Sequence, residues 1–469
     1  MEIEVPPFKF ADKRKNMDIR KSSYTISVKL DDTEDKYMLI HGYTGAVDLV
    51  NEKVIRYLEN ADANAPILDT TVDALKVRGY LTTKTEEEER ERVRKLAHIL
   101  HQKDKILFKH FMFLVAYDCN FRCPYCYEKK VLKNSRQWTK KIFSKEMVDK
   151  AYNAISKIGG DRRLHSRQIT LYGGEPLLEK NKDIVEYIVT KGTDLGYRFM
   201  AITNGYDLNH FVHLLGPDKI CTLQVTLDGI KEHHDKRRVH YRTKKSFDKI
   251  ITNIGMALTQ DVRIGIRVNT DADNFADLEK LEQMFRNLGY TDNAKLSIHS
   301  ALLFDHNPLS TNKSLSFLDQ QKFNDLHKHT NYRYNCTITS MAQLLVNAIK
   351  NNKTIDFSSE FCAAQSGSYI LDPFGEIYAC WEEVGHQEKI IGHYNELVEW
   401  MGHKDLWHNQ NIASNSKCIS CRYAFFCKGG CISQEIVVNG TFGAGFCNHF
   451  PDTFHSSVNL AYRRVLKKS

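Results

Sequence analysis

The chain has 469 residues, 42% hydrophobic and 26% charged, a globular balance whose length predicts two or three domains, not one core. Sixty-six Lys and Arg against 58 Asp and Glu give a net charge of +8; with no basic cluster and no reader motif, this excess argues against a nucleic-acid partner. No signal peptide and no long apolar run is seen, so twelve cysteines point to metal ligation in a reducing cytoplasm, without disulfides or a membrane.

Residues 1–105 predict short strands at Tyr24–Val28 and Tyr37–Ile40 about an acidic turn at Asp31–Asp35. A turn at Gly42-Tyr43-Thr44-Gly45 leads to a strand at Val47–Val50 and a helix over residues 51–59. A further helix ends at Arg78, with Gly79 as its C-cap. Thr85 and Glu88 read as a capping box opening a charged helix, with Glu86–Arg90 and Glu88–Arg92 as pairs one turn apart. This order resembles the winged-helix-like recognition domain of peptide maturases, which implies a leader peptide bound by strand addition to a sheet edge. A purely structural cap over the next domain fits the same pattern.

Residues 106–330 alternate apolar strands, at 111–116, 168–172, 198–202, 221–226, 263–268 and 295–301, with amphipathic helical stretches such as 274–287. The alternation predicts a parallel α/β sheet with its chemistry at the C-terminal strand ends. Cys119, Cys123 and Cys126 follow the first strand as a CxxxCxxC triplet. Three thiolates are one short of closing a cubane iron–sulfur cluster, which leaves one iron for another ligand. A zinc site wants four ligands, and no fourth Cys or His follows closely. Later strand ends carry Gly173-Gly174-Glu175-Pro176, Thr203-Asn204-Gly205 and Thr226-Leu227-Asp228-Gly229, the last followed by His234-Asp235-Lys236-Arg237-Arg238. The paired glycines admit close backbone approach, and Glu175 can accept from an ammonium group. Cys221, mid-strand, reads as a small buried hydrophobe.

Together these motifs resemble the radical S-adenosylmethionine (SAM) family. The resemblance implies a partial (β/α)6, TIM-like barrel in which SAM chelates the three-cysteine cluster and is cleaved to a 5′-deoxyadenosyl radical. It assigns SAM binding to Tyr125 beside the adenine, to Gly173, Gly174 and Glu175 at the amino group, and to Asn204 near the cofactor. Asp228 falls at the ribose and Arg238, or else Arg237, at the carboxylate. No catalytic residue is assigned beyond the cluster cysteines.

Residues 331–469 hold seven cysteines in regular order: Cys362, Cys380, Cys418, Cys421, Cys427, Cys431 and Cys447. Residues 369–380 read as a hairpin turning at Asp372-Pro373-Phe374-Gly375 and delivering Cys380. Gly429 and Gly430 let the backbone fold tightly between Cys427 and Cys431. A zinc ribbon from Cys418, Cys421, Cys427 and Cys431 would leave Cys362, Cys380 and Cys447 without a role. The order resembles the SPASM extension of peptide-modifying radical SAM enzymes. That implies two auxiliary 4Fe–4S clusters, one on Cys418, Cys421, Cys427 and Cys447, the other on Cys362, Cys380 and Cys431. The family's eighth cysteine is missing, so the second cluster has an open iron unless it recruits Cys336, which precedes a helical stretch at 340–350. The basic end, Tyr462–Lys468, reads as a helix end or frayed tail.

The resemblance as a whole implies an α/β fold in three parts: a winged-helix-like α+β domain with a linker helix at 1–105, a radical SAM barrel at 106–330 and a SPASM domain at 331–469. It implies a cytoplasmic, oxidoreductase-type enzyme that abstracts hydrogen from a ribosomally made peptide (RiPP) or protein. A thioether, a carbon–carbon or carbon–oxygen crosslink, or an oxidised residue then results. Three 4Fe–4S clusters and SAM are the expected cofactors. A precursor peptide or protein and a low-potential donor such as flavodoxin or ferredoxin are the expected partners, with no nucleic acid and no membrane. The alternatives are an anaerobic sulfatase maturase making formylglycine and a non-catalytic iron–sulfur electron-transfer protein; the glycine–glutamate motif and the arginine count against the latter.

Overall fold

The computed structural model describes residues 19–59, 67–107, 109–128, 141–291, 294–304 and 315–466. The alternating N-terminal segments form β2 (Thr25–Lys29), β3 (Lys36–His41) and β4 (Val47–Asn51), an antiparallel sheet in that order. β1 (Arg20–Lys21) pairs separately with β5 (Leu81–Thr82). Helix α1 (Glu52–Leu58) starts where the Asn51 side chain accepts from the Val54 amide, and α2 (Asp69–Arg78) stops at Gly79, whose φ of +91° favours glycine. The capping box opens α3 (Glu86–Ile106), with the Thr85 amide donating to Glu88 Oε2 at 2.7 Å. That bond turns Glu88 back to the cap. The expected Glu88–Arg92 pair is therefore absent, and Arg92 lies over the Tyr43 ring, 5.6 Å from its centroid. Glu86 and Arg90 do pair, at 3.7 Å.

All six strands expected in the middle segment are present: β6 (His110–Ala116), β7 (Gln168–Gly173), β8 (Arg198–Thr203), β9 (Ile220–Leu227), β10 (Arg263–Thr270) and β11 (Leu296–Leu302). They pair in parallel in this order, as connections through helices require. The helices are α4 (Lys145–Gly159), α5 (Lys182–Asp194), α6 (Lys231–Arg237), α7 (Phe247–Leu258) and α8 (Asp277–Asn287). Alternation decides which face meets them. On β10, Ile264, Ile266 and Val268 are buried with Ile254, Leu278 and Phe285, while Gly265, Arg267 and Asn269 fall on the opposite face, toward the lumen.

The cysteine-rich segment does not form a sheet of its own. β12 (Ser368–Leu371) pairs in parallel with β6, and β13 (Glu376–Tyr378), β14 (Gly392–His393) and β15 (Glu399–Trp400) continue outward, giving one ten-stranded sheet. The hairpin between β12 and β13 turns where the Asp372 carboxylate accepts from the Phe374 amide at 2.9 Å and the Glu376 amide at 2.8 Å. After α9 (Gln320–Lys328), α10 (Cys336–Asn351) begins four residues before the expected 340–350 stretch, because Asn335 caps it by accepting from the Ile338 amide. Ile338, Ala342 and Leu345 of α10 pack with Phe454, Val458 and Ala461 of α11 (Phe450–Leu466) and with Ile26, Val28 and Met38 of the first sheet. Both ends of the chain thus share one core. The basic end is helical to Leu466; Lys467 and Lys468 lie outside the described residues. No described helix is long and apolar enough to cross a membrane.

Candidate functional site

The ends of β6 and β7 fit together because two positions lack a side chain. A Cβ at Gly173, whose φ is +140°, would overlap the Ala116 carbonyl, and one at Gly174 would overlap the backbone of Tyr117 and Asp118. Without them, the Gly174 amide donates to Ala116 O at 2.9 Å and the Glu175 amide to Asp118 O at 2.8 Å. The cysteine loop is thereby pinned against Glu175. This carboxylate is buried and accepts from Thr203 Oγ1 at 2.6 Å, the Asn204 amide at 2.6 Å and the Leu177 amide at 2.9 Å. Burial pushes its pKa up to about 7 against the pull of those three donors. Asn204 closes the network, donating through Nδ2 to Asn120 Oδ1 at 2.7 Å, inside the cysteine loop.

A second network joins the third turn of that loop to the ends of β9 and β10. Tyr125 donates to Asp228 Oδ2 at 2.5 Å and accepts from Arg238 Nη1 at 2.9 Å and Asn269 Nδ2 at 3.2 Å. Asn274 holds the two strand ends together, donating to the carbonyls of Asp228 at 3.1 Å and Asn269 at 2.9 Å. Burial works against the charge of Arg238, but Tyr125, Cys123 and Asp228 outweigh it and hold the guanidinium charged. Its Nε is buried without a partner among the described residues. Arg237, the other candidate, is committed elsewhere: it grips both oxygens of the buried Asp271 at 2.9 and 2.8 Å. Of the two, Arg238 is the one that joins the Tyr125 network. Asn269 and Asn274 escaped the motif reading because each stands alone at a strand end; the rule that barrel chemistry gathers there was the available signal.

Cys119, Cys123 and Cys126 are close enough that Cys123 raises the pKa of each of the other two, after burial; Cys126 reaches about 12. Residues 113–285 match the sequence model of the Radical SAM superfamily. Residues 113–285 are a radical SAM domain. The chain is 24% identical over 386 residues to a cysteine-type anaerobic sulfatase-maturating enzyme of Clostridium novyi, covering 74% of this chain and 96% of that protein. It is 22% identical over 448 residues to the radical SAM cyclopropyl synthase TigE of Paramaledivibacter caminithermalis, covering 88% and 89%. Among solved structures, native anSMEcpe with bound AdoMet and Cp18Cys peptide superimposes with a TM-score of 0.56 at 15% identity, covering 77% of this chain and 98% of that one; the likeness is one of fold.

A radical SAM domain takes a 4Fe–4S cluster and SAM, and the residues present suit both. Three thiols converge, a buried acceptor stands beside them at Glu175, and an unsatisfied guanidinium nitrogen faces the same mouth. Outside the domain the seven other expected ligands fall into two sets. Cys418, Cys421 and Cys427 are each raised by burial first and then by Cys447 among other causes. Cys380 is raised by burial and by Cys362 and Cys431, and Cys362 by burial and by Cys431. Among the described residues no three such side chains converge tightly enough for one metal ion. Cys336 is exposed at the start of α10. Cys221 is only half-buried and accepts from Gln168 Nε2 at 3.2 Å, because its strand face meets a polar side chain, contrary to the expected hydrophobic setting. Two residues the motifs missed stand between the sets. Tyr172 feels Glu382 and both Cys126 and Cys380, and Glu128, just past Cys126, is pushed up to about 8 by burial and by Glu175 and Glu382.

Proposed function

We propose that this chain is a radical SAM enzyme that modifies a peptide or protein, with two auxiliary 4Fe–4S clusters on the cysteine sets of its C-terminal segment. The observation that carries the reading is the joining of both half-networks on one mouth, Glu175–Thr203–Asn204 and Tyr125–Asp228–Arg238, around the three-cysteine loop. When bound, the cluster and SAM supply a 5′-deoxyadenosyl radical able to take hydrogen from an unactivated carbon. The protein's part is to hold and to exclude water. Cys119, Cys123 and Cys126 would ligate the cluster, Glu175 accept from the SAM amino group, Arg238 pair with its carboxylate, and Asp228 and Tyr125 fix the ribose and adenine. Gly173, Gly174 and Asn204 set these groups in place. Of the relatives named above, one is named for maturing a sulfatase and the other for radical SAM synthesis of a cyclopropyl group. By extension, Cys362, Cys380 and Cys431 would hold an iron–sulfur cluster, a group able to take up the electron left over after substrate oxidation. Residues 1–105 would recognise a leader segment, and a flavodoxin or ferredoxin would supply the electron.

The test is anaerobic reconstitution followed by a low-potential reductant. The wild type should release 5′-deoxyadenosine, and the Cys119/Cys123/Cys126→Ala variant none, while the iron of the other two sets survives. A second reading, formylglycine formation, is favoured by the 96% coverage of the sulfatase-maturating relative. Against it, that alignment leaves about a quarter of this chain unmatched, whereas the cyclopropyl synthase leaves about an eighth. An aldehyde formed on a cysteine-containing sulfatase peptide, trapped by a hydrazide, would establish the second reading over the first.

A further inference from the structure

We propose that Arg267, with the space left beside it by Gly265, forms an anionic subsite in the barrel lumen that takes the carboxylate of an Asp or Glu side chain in the substrate. The proposal rests on the peptide-modifying reading above and names the substrate chemistry of that same site.

Parallel register sets Arg267 between Thr226 of β9 and His299 of β11, on the face of β10 that looks away from the helices. Its charged neighbours place it over the cofactor mouth. Tyr125, Tyr172 and Asp228 favour its charge, Arg238 opposes it, and burial opposes it most. Its hydrogen bond to the protein is a single one, from Nε to Asn269 Oδ1 at 3.0 Å, and among the described residues no carboxylate pairs with it. Two guanidinium groups therefore share one carboxylate, Asp228, which already accepts from Tyr125. With Asp228 given to the ribose, as in the reading above, Arg267 has no carboxylate of its own among the described residues. A half-buried cation in that state, on the lumen face, is placed to take one from outside the chain.

The floor of the site has room for about a methyl group. Gly265 is not held in a backbone conformation that demands glycine, and a Cβ there would meet nothing nearer than His299 Cε1 at 3.8 Å and Ser297 Oγ at 3.9 Å. His299, its pKa lowered by burial and by Arg267, adds no competing charge near neutral pH and can donate or accept a hydrogen bond. A planar guanidinium above such a gap suits a carboxylate bound through two parallel hydrogen bonds.

The test uses the reconstituted full chain and tripeptides Ac-Gly-X-Gly-NH2, with X perdeuterated Asp, Glu, Asn or Gln, and reads deuterium in the 5′-deoxyadenosine by mass spectrometry. The wild type should take up about tenfold more deuterium from the acidic probes than from the amides, the discrimination expected of a charge-assisted hydrogen bond. Arg267→Gln should bring that ratio to about one, Arg267→Lys should keep part of it, and Gly265→Val should lower it by filling the floor. SAM affinity and peptide-free SAM cleavage should stay within about twofold throughout. Equal uptake from acid and amide probes in the wild type would overturn the subsite, as would a loss of SAM affinity in Arg267→Gln as large as in Arg238→Gln, which would make Arg267 a cofactor ligand. No deuterium from any tripeptide, with SAM cleavage intact, would overturn the subsite alone, since the peptide reading includes a leader segment bound by residues 1–105 and is tested separately by SAM cleavage and peptide modification.

Discussion

Tyr125 shows how one hydroxyl organises a site. It donates to Asp228 and accepts from Arg238 and Asn269, so it fixes a carboxylate and a guanidinium in one plane of contacts. Tyr125→Phe keeps the ring and removes that hub. SAM affinity should fall about tenfold, in line with one charge-assisted hydrogen bond, and isothermal titration of the reconstituted protein would measure it. The two adjacent arginines should separate cleanly by substitution. Arg237→Gln leaves the fully buried Asp271 unpaired and should lower stability by about 3–5 kcal/mol, read as a shift in the urea midpoint. Arg238→Gln should instead weaken SAM binding at least tenfold with a smaller stability loss. If the two phenotypes were exchanged, the assignment of Arg238 would be wrong.

At the level of elements, turns and strand ends carry the ligands, and their stability is separable from their chemistry. The β12–β13 hairpin that leads to Cys380 turns on Asp372, which burial, helped by Glu376, raises to about 7 against the pull of Tyr117 and two backbone amides. A carboxyl whose folded pKa lies above its unfolded value near 3.8 holds its proton better in the folded chain. Its contribution is then complete below about pH 4 and is lost as pH rises through about 7. Asp372→Asn keeps the acceptor for the Phe374 and Glu376 amides. It should remove a pH-dependent loss on the order of 3 kcal/mol between pH 4 and 8, measured by urea unfolding at stepped pH. A slope unchanged by the substitution would exclude Asp372 as its source. Gly173→Ala makes the complementary case, since its Cβ would overlap the Ala116 carbonyl at a φ of +140°. The ends of β6 and β7 should part, and the melting temperature and the iron of the three-cysteine loop should fall together.

Across the whole molecule, the N-terminal sheet is seated on the cysteine-rich segment. Tyr24 donates to the Ile419 carbonyl, Arg422 Nη1 donates to the Thr25 carbonyl at 3.1 Å, and a Cβ at Gly42 would overlap the Arg422 carbonyl. Gly42→Ala should therefore act at a distance. About 1–3 kcal/mol of stability should be lost through overpacking, and iron bound by Cys418, Cys421, Cys427 and Cys447 should become easier to remove with a chelator. Release kinetics equal to wild type would show that the seat and the cysteine loop are uncoupled.

The sequence alone determined what depends on neighbours in the chain. The six parallel strands, the CxxxCxxC loop, the glycine–glutamate turn and the cysteine order were legible because spacing within a loop or at a strand end restricts the chemistry directly. Tertiary structure decided what depends on residues far apart. It put Arg238 in the Tyr125 network and Arg237 on Asp271, 34 residues away. It brought Asn269 to Tyr125 across 144 residues, added β12 to the edge of β6 to make one sheet, and set Arg267 in the lumen with no carboxylate paired to it among the described residues. Local propensity carries no information about which distant partner a buried charge or an open sheet edge will find. Only the packing of the whole chain, which leaves few buried polar groups unpaired, selects it.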